Sequence, residues 1–347
     1  MQYSFSDRIS NLHPSAIREI LKNSDPNVIS LAAGNPAVES FPVAEMKEIA
    51  DHIFDTVPGI AFQYGITEGY PKLRELVMKR QKEKYGIGTD NDDIMIISGG
   101  TQAMDLSTKV LVNEGDVILS EDPAFVGALN TFRSYKVRLR GVPMEKDGMD
   151  MQALEKALQE EKTAKFIYTI PNFQNPSGIT MSWEKRKQLY ELAKKYGVMI
   201  LEDNPYGDLR FAGEHVPAIK SLDEEGIVMY AGTFSKVISP GIRVGYGIGP
   251  KPVLQKMIVC KQGEDVHTGM LSQIICDEFM TRYDYDAHLA GLKDIYRKKS
   301  DIMLEQMEKH LRPLGIDWNP IEGGLFLWCK LPEGVDMPAF CKAAVLN

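Results

Sequence analysis

The sequence predicts an α/β protein: a mainly parallel sheet flanked by helices, followed by a smaller α+β domain. Three observations carry that reading. Between about residues 90 and 250, short β-type runs alternate with helical patterns. The runs are continuously apolar rather than alternating, as in strands covered on both faces. After about residue 262 the pattern changes to a long helical stretch through the 290s and 300s, then a strand expected at Leu325 to Lys330.

The strand runs are Ile94 to Ser98, Val117 to Ser120, Lys165 to Thr169, Val198 to Glu202, Ile227 to Ala231 and Val244 to Gly249. Helices fill the gaps. Pro71 opens one that carries Leu73, Leu76 and Val77 and closes at Gly86, because proline suits a first turn and glycine a left-handed end. Asp150 is placed to cap a helix carrying Leu154, Ala157 and Leu158. Leu189, Leu192, Ala193 and Tyr196 mark one face of a helix that starts near Ser182 and stops at Gly197. Strands joined through helices require crossover connections, hence parallel pairing. The expected organisation is an amino-terminal arm over 1–45 belonging to the small domain, a large domain over 46–261, and a small domain over 262–347.

Composition removes several function classes. A net charge of −8 repels nucleic acid and anionic membranes over most of the surface. No apolar run approaches the roughly 20 residues that span a bilayer, and the polar start MQYSFSDRIS has no signal-segment pattern, so a cytoplasmic protein is expected. The four cysteines (Cys260, Cys276, Cys329, Cys341) form no CxxC pair and read as buried small apolar residues of a reducing compartment. The six histidines show no metal-ligand spacing, so no metal is expected.

Ligands of α/β sheets gather at the carboxyl ends of strands, and four unusual segments fall there. Ser98 to Gln102, SGGTQ, turns tightly on Gly99 and Gly100 into a helix whose first amides suit a phosphate; an unliganded glycine turn has the same residues. Pro171 to Gly178, PNFQNPSG, holds Asn175 extended before Pro176, so its amide can face a ligand; an ordinary loop has this composition too. Glu202 to Leu209, EDNPYGDL, puts an acid at a strand end and a tyrosine three residues beyond Asp203, as a plain surface turn also can. Ala231 to Gly247 places Lys236 in a Thr/Ser-rich turn, with Arg243 seven residues on as a fixed cation for a phosphate. A lone Ser-Lys is commonly a solvated lysine. The glycines at 245–249 lack GxGxxG spacing and are not a dinucleotide fingerprint.

Taken in order, these four segments resemble the fold-type-I, pyridoxal-phosphate-dependent aminotransferases. The nearer branch contains the 2-aminoadipate and aromatic aminotransferases and the effector domains of MocR-type regulators. The resemblance covers nearly the whole chain, from Ile17-Arg18 through LAAGNP (31–36) and QYGITEGYPKLR (63–74) to EGGLFLW (322–328).

The resemblance implies a role for each matching residue. Lys236 matches the lysine that holds the cofactor as an internal aldimine and later shuttles a proton. Asp203 matches the acid paired with the pyridine nitrogen. Tyr206 and Asn175 match the groups that hydrogen-bond the cofactor's phenolic oxygen. Gly100, Thr101, Gln102, Thr233, Ser235 and Arg243 match the phosphate cradle, and Phe125 the aromatic stacked on the ring. Tyr64 matches a tyrosine that reaches the neighbouring subunit's phosphate, which implies a homodimer with shared sites; plain core packing is the alternative for Tyr64 and Phe125. Gly34, Asn175 and Arg18 match substrate-side positions, although Arg18 fits equally well as the solvated face of its helix.

One departure stands out. Members of the family carry a C-terminal arginine that clamps the substrate carboxylate, and this chain ends at Val345-Leu346-Asn347 before any such motif. Either the sequence is incomplete or the substrate is held without that clamp.

The implied activity is transamination. An amino acid converts pyridoxal phosphate to pyridoxamine phosphate (PMP), and a 2-oxo acid reverses the step. Two other readings stay open at this point. A β-elimination lyase would use the same cofactor residues. A non-catalytic ligand-sensing module is the other, although the acidic chain begins its fold almost at Met1, with no basic helix-turn-helix ahead of it.

Overall fold

The structure is a computed structural model and describes residues 3–10, 12, 31 and 34–346. Its centre is an eight-stranded sheet: β1 (Asp92–Ile97), β2 (Val117–Asp122), β3 (Arg138–Glu145), β4 (Gly148–Met149), β5 (Ala164–Thr169), β6 (Met199–Asn204), β7 (Val228–Thr233) and β8 (Gly245–Pro250). In space they lie in the order β1-β8-β7-β6-β5-β2-β3-β4. The neighbours from β7 through β6, β5 and β2 to β3 pair in parallel. Strand β8 runs against both β1 and β7, so its amino end lies at the edge where the parallel strands end. That reversal brings Arg243, just ahead of β8, to the same edge as Lys236, just after β7.

The apolar runs are buried on both sides, as expected. Successive strand residues enter opposite cores: Ile118, Phe166, Tyr168, Leu201 and Met229 on one face, and Leu119, Ile167, Ile200 and Val228 on the other. The helix punctuation also holds. Helix Pro71–Tyr85 begins on its proline and ends at Gly86 with φ 65. Asp150 Oδ1 accepts from the Gln152 and Ala153 amides at 2.9 and 3.0 Å to open Met151–Glu160. Ser182 caps Trp183–Tyr196, which closes on Gly197 at φ 67.

Several expectations need correction. Strands β3 and β4 have no apolar run to announce them: RLRGVPME lies toward the sheet edge with mostly exposed side chains. Beyond the 26-residue helix Tyr285–His310, the strand expected over Leu325 to Lys330 shrinks to Cys329–Lys330, paired with Asp317–Trp318. The rest of that segment is held by other bonds: Phe211 and Ala212 donate their amides to the Glu322 carbonyl, and Gly323 and Gly324 lie against Phe173. Of the four cysteines only Cys276 is buried, while Cys341 is exposed on the surface helix Met337–Leu346. Among the described residues no helix is long and apolar enough to cross a membrane.

Candidate active site

Four of the parallel strands, together with the start of β8, deliver polar groups to one edge. After β1, Gly99 takes φ 86 and helix Gly100–Leu111 begins. The Arg243 guanidinium lies directly against this turn and donates to the Ser98 carbonyl at 3.0 Å. A Cβ on Gly99 would sit 2.1 Å from Arg243 Nη2, so the close approach requires glycine. Arg243 itself takes φ 54 after the short turn Pro240–Ile242. Thr233 Oγ1 donates to Ser235 Oγ at 2.9 Å and accepts the Ser235 amide, shaping the turn that carries Lys236.

Asp203, near the end of β6, is 5% exposed. Tyr168 of β5 donates to its Oδ2 at 2.9 Å, while its Oδ1 lies 3.9 Å from where a Cβ on Gly100 would be. One oxygen is thus engaged and the other faces the glycine turn. Burial raises the Asp203 carboxyl to about 7, opposed by the Tyr168 hydrogen bond. No cation contributes to holding that charge among the described residues.

Tyr206 is buried, which raises its pKa, Asn175 beside it lowers that pKa against the effect of burial, and its ring meets Phe326 edge-on at 5.5 Å. Lys236 Nζ lies 6.0 Å from the Tyr206 ring centre and donates to the Gly34 carbonyl at 3.0 Å. Burial, and secondarily the Arg243 charge, lower its pKa, which favours the neutral amine. Gly34 is left-handed at φ 60, and a Cβ there would strike the Phe326 ring at 2.6 Å. The edge therefore gathers a buried acid, a lysine biased toward neutrality and an arginine at a helix start. Such a set accommodates a ligand with a cationic ring atom, a carbonyl carbon and a phosphate.

The pattern of the family described as aminotransferase class I and II matches residues 26–346. The chain belongs to that family. Among its members, aromatic-amino-acid aminotransferase 1 of Thermococcus litoralis is 40% identical over 346 residues, 98% of this chain and 83% of that protein. The kynurenine aminotransferase of Pyrococcus horikoshii, solved in complex with PMP, superposes with a TM-score of 0.93 and 38% identity, covering 99% of this chain and 85% of that one. LysN, the α-aminoadipate aminotransferase of Thermus thermophilus, solved with N-(5'-phosphopyridoxyl)-L-leucine, gives a TM-score of 0.89 and 34% identity over 99% of this chain and 85% of that one. Similarity reaches the uncharacterized HTH-type transcriptional regulator YdfD of Bacillus subtilis, 31% identical over 93% of this chain and 67% of that protein. The fold-type-I architecture expected from the sequence is thus the observed one.

Not every residue singled out in this aminotransferase-family chain joins the cluster. The Gln102 carboxamide is saturated by other partners: its oxygen accepts from the Ser98 amide and Lys261 Nζ, and its nitrogen donates to Glu264 and Asp265. Thr101 is exposed in the first helical turn. Phe125 is half-buried, with its ring folded back over Gly127. Tyr64 is 81% exposed and touches His267 edge-on at 5.8 Å. Arg18 lies outside the described residues.

The sequence reading missed Tyr168, Phe326 and the ion pair of buried Lys261 with exposed Asp265 that reaches Ser98. Tyr168 sits within an apolar run and looks like a core residue. Phe326 lies in the EGGLFLW segment, where nothing local distinguishes it from a core aromatic.

Proposed function

We propose that the chain transfers an amino group between an L-amino acid and a 2-oxo acid, with pyridoxal phosphate seated at this sheet edge. The observation that carries the reading is Asp203: a buried carboxyl with one free oxygen and no cationic partner among the described residues, and Lys236 and Arg243 gathered at the same edge. A protonated pyridine nitrogen supplies the missing counter-charge. Bound there, pyridoxal phosphate supplies an aldehyde that takes up the substrate amino group and a ring that accepts electron density when the α-proton leaves.

The chain's own residues divide the remaining work. Asp203 Oδ1 keeps a proton on the ring nitrogen. Asn175 and Tyr206 donate to the ring oxygen. The amides of Gly100, Thr101 and Gln102 at the helix start, the hydroxyls of Thr233 and Ser235, and the Arg243 guanidinium hold the phosphate. Phe125 provides a ring face. Lys236, whose amine is biased toward neutrality by burial, takes the α-proton and returns it to the neighbouring carbon. Gly34, Asn175 and Arg18 lie on the substrate side. Tyr64 serves a second copy, so the active unit is a homodimer. Its high exposure, with Phe62 at 67% and Ile66 at 50% beside it, supports a surface covered by a partner. In this reading residues 46–261 form the cofactor-binding body, and 262–347 with the arm 1–45 form the smaller domain.

Single amino acids (glutamate, 2-aminoadipate, an aromatic and a branched-chain one) added without an acceptor test the proposal. Loss of the cofactor's absorption band with one oxo acid formed per site is the expected result. Pyruvate and ammonia accumulating with the band intact would assign a lyase instead. A Lys236→Ala protein that still turned over would overturn the assignment of the lysine.

A further inference from the structure

Glu121, the next-to-last residue of β2, is 2% exposed and forms no ion pair among the described residues. Four hydrogen bonds from three neutral residues converge on its carboxylate. Oε1 accepts from Thr169 Oγ1 at 2.5 Å and from the Ile170 amide at 3.2 Å. Oε2 accepts from the same amide at 3.3 Å and from Gln174 Nε2 at 3.0 Å. Gln174 Nε2 also donates to the Pro123 carbonyl at 2.8 Å, so one side chain ties the loop after β5 to the loop after β2.

The polarity of this network is fixed at both ends by the backbone. The Ser177 amide can only donate, and it donates to Gln174 Oε1 at 2.8 Å, joined by the Ser177 hydroxyl at 2.6 Å. The Gln174 oxygen is thereby committed, and its nitrogen must face residue 121. The Ile170 amide can likewise only donate. Residue 121 must therefore accept from Gln174 and from the Ile170 amide, which reaches both oxygens; a carboxylate does this with either oxygen, whereas glutamine keeps one acceptor and sets its N–H beside the Ile170 amide. Glutamine would face its oxygen to Gln174 and its N–H to the Thr169 hydroxyl, where that N–H also crowds the Ile170 amide.

The residue after Gln174 is Asn175, which lies beside Tyr206 and lowers its pKa against the effect of burial. The other end of the loop is pinned separately: Arg186, fully buried, donates to the Pro171 carbonyl at 2.8 Å and to Asn172 Oδ1 at 2.7 Å. Arg186 fixes where the loop begins, and Glu121 fixes the stretch that carries Asn175.

We propose that Glu121 is a positioning residue for the reaction, acting through Gln174 to hold Asn175 against Tyr206 and the cofactor's ring oxygen. This rests on the reading of Asn175 and Tyr206 given above. Burial lifts the Glu121 carboxyl to about 7, against the pull of its Thr169, Gln174 and Ile170 hydrogen bonds.

The test uses reconstituted holoenzyme and follows the cofactor's absorption against pH, together with kcat and KM. Asn175→Ala is the reference: losing a donor to the ring oxygen raises the pH midpoint of the absorption change. Glu121→Gln is expected to raise the midpoint in the same direction and to lower kcat by about tenfold, with KM little changed. Gln174→Met leaves Glu121 its Thr169 and Ile170 donors and is expected to do the same, so it decides the matter if Glu121→Gln fails to fold. If Asn175→Ala moves the midpoint while Glu121→Gln and Gln174→Met leave it at the wild-type value, the proposal is overturned and the Asn175 reading stands. If Asn175→Ala does not move it, the Asn175 reading fails and takes this proposal with it.

Discussion

The hydroxyl of Tyr168 meets Oδ2 of Asp203 at 2.9 Å across neighbouring strands β5 and β6, and both side chains are buried. That contact is the one hydrogen bond opposing the desolvation that lifts the Asp203 carboxyl to about 7. It also fixes which oxygen is left to face Gly100. Tyr168 therefore sets both the charge and the aim of the acid.

Tyr168→Phe should keep the fold, because the ring still fills its place against Phe132. It removes the donor, so the Asp203 carboxyl rises further and is neutral over more of the working range. A hydrogen bond to a charged group is worth about 1.5–3 kcal/mol, so cofactor affinity should fall by roughly tenfold or more. Titrating the apoprotein with pyridoxal phosphate measures this. An unchanged affinity would mean that Asp203 is oriented by its strand alone.

The same pKa predicts how pH couples to the cofactor. In the apoprotein Asp203 is raised from 3.8 to about 7, so the stability it contributes is complete below pH 3.8 and is lost as pH rises through 7. A bound ring cation reverses this by favouring the carboxylate. Cofactor binding then releases a proton, and the rise in Tm caused by cofactor should grow from about pH 5 to about pH 8. Glu121 is raised in the same direction by burial, with the Asp203 charge among the causes, so it titrates together with Asp203. Thermal unfolding of apoprotein and holoprotein across this range checks the sign, and a rise that shrank with pH would contradict it.

How much of this was legible beforehand depends on whether a residue's role is local. Ser182, Gly197, Pro71 and Gly86 act through neighbours within a turn, and the sequence placed each of them. Lys236, Asp203 and Arg243 stand at strand ends among turn-forming residues, and their order along the chain resembles a known family. Tyr168 and Glu121 could not be found that way. Each sits inside a strand, and its meaning comes from a partner 35 or 48 residues away, Asp203 or Thr169. The reversal of β8 was equally hidden, because an apolar run does not encode direction. Strand β3 escaped because a strand near the edge, bearing Arg138 and Arg140, need not be apolar.

Asp150 offers a measure of local capping free of the active site. Its carboxylate satisfies two amides that would otherwise lack partners at the start of Met151–Glu160. Asp150→Ala should cost about 1 kcal/mol and lower Tm by roughly 1–2 °C, with cofactor affinity unchanged. Thermal unfolding and a cofactor titration on one preparation give both numbers. A loss of affinity would show that this helix is coupled to the site.

Gly99 tests whether the arginine needs its present seat. At φ 86 and ψ 163 the backbone lies where only glycine is comfortable, and an added Cβ would occupy the place of the Arg243 guanidinium, 2.1 Å from Nη2. Gly99→Ala must therefore both strain the turn and push Arg243 off the Ser98 carbonyl. Gly197→Ala is the control: it also places a side chain at positive φ, 67, but meets nothing within 4 Å. Both should lower apoprotein Tm, each strained residue costing of order 1–3 kcal/mol. Only Gly99→Ala should also weaken pyridoxal phosphate, with the loss largest for the phosphate ester and small for pyridoxal itself. Equal weakening of both ligands would mean that the turn shapes the ring site, and that Arg243 is not what holds the phosphate.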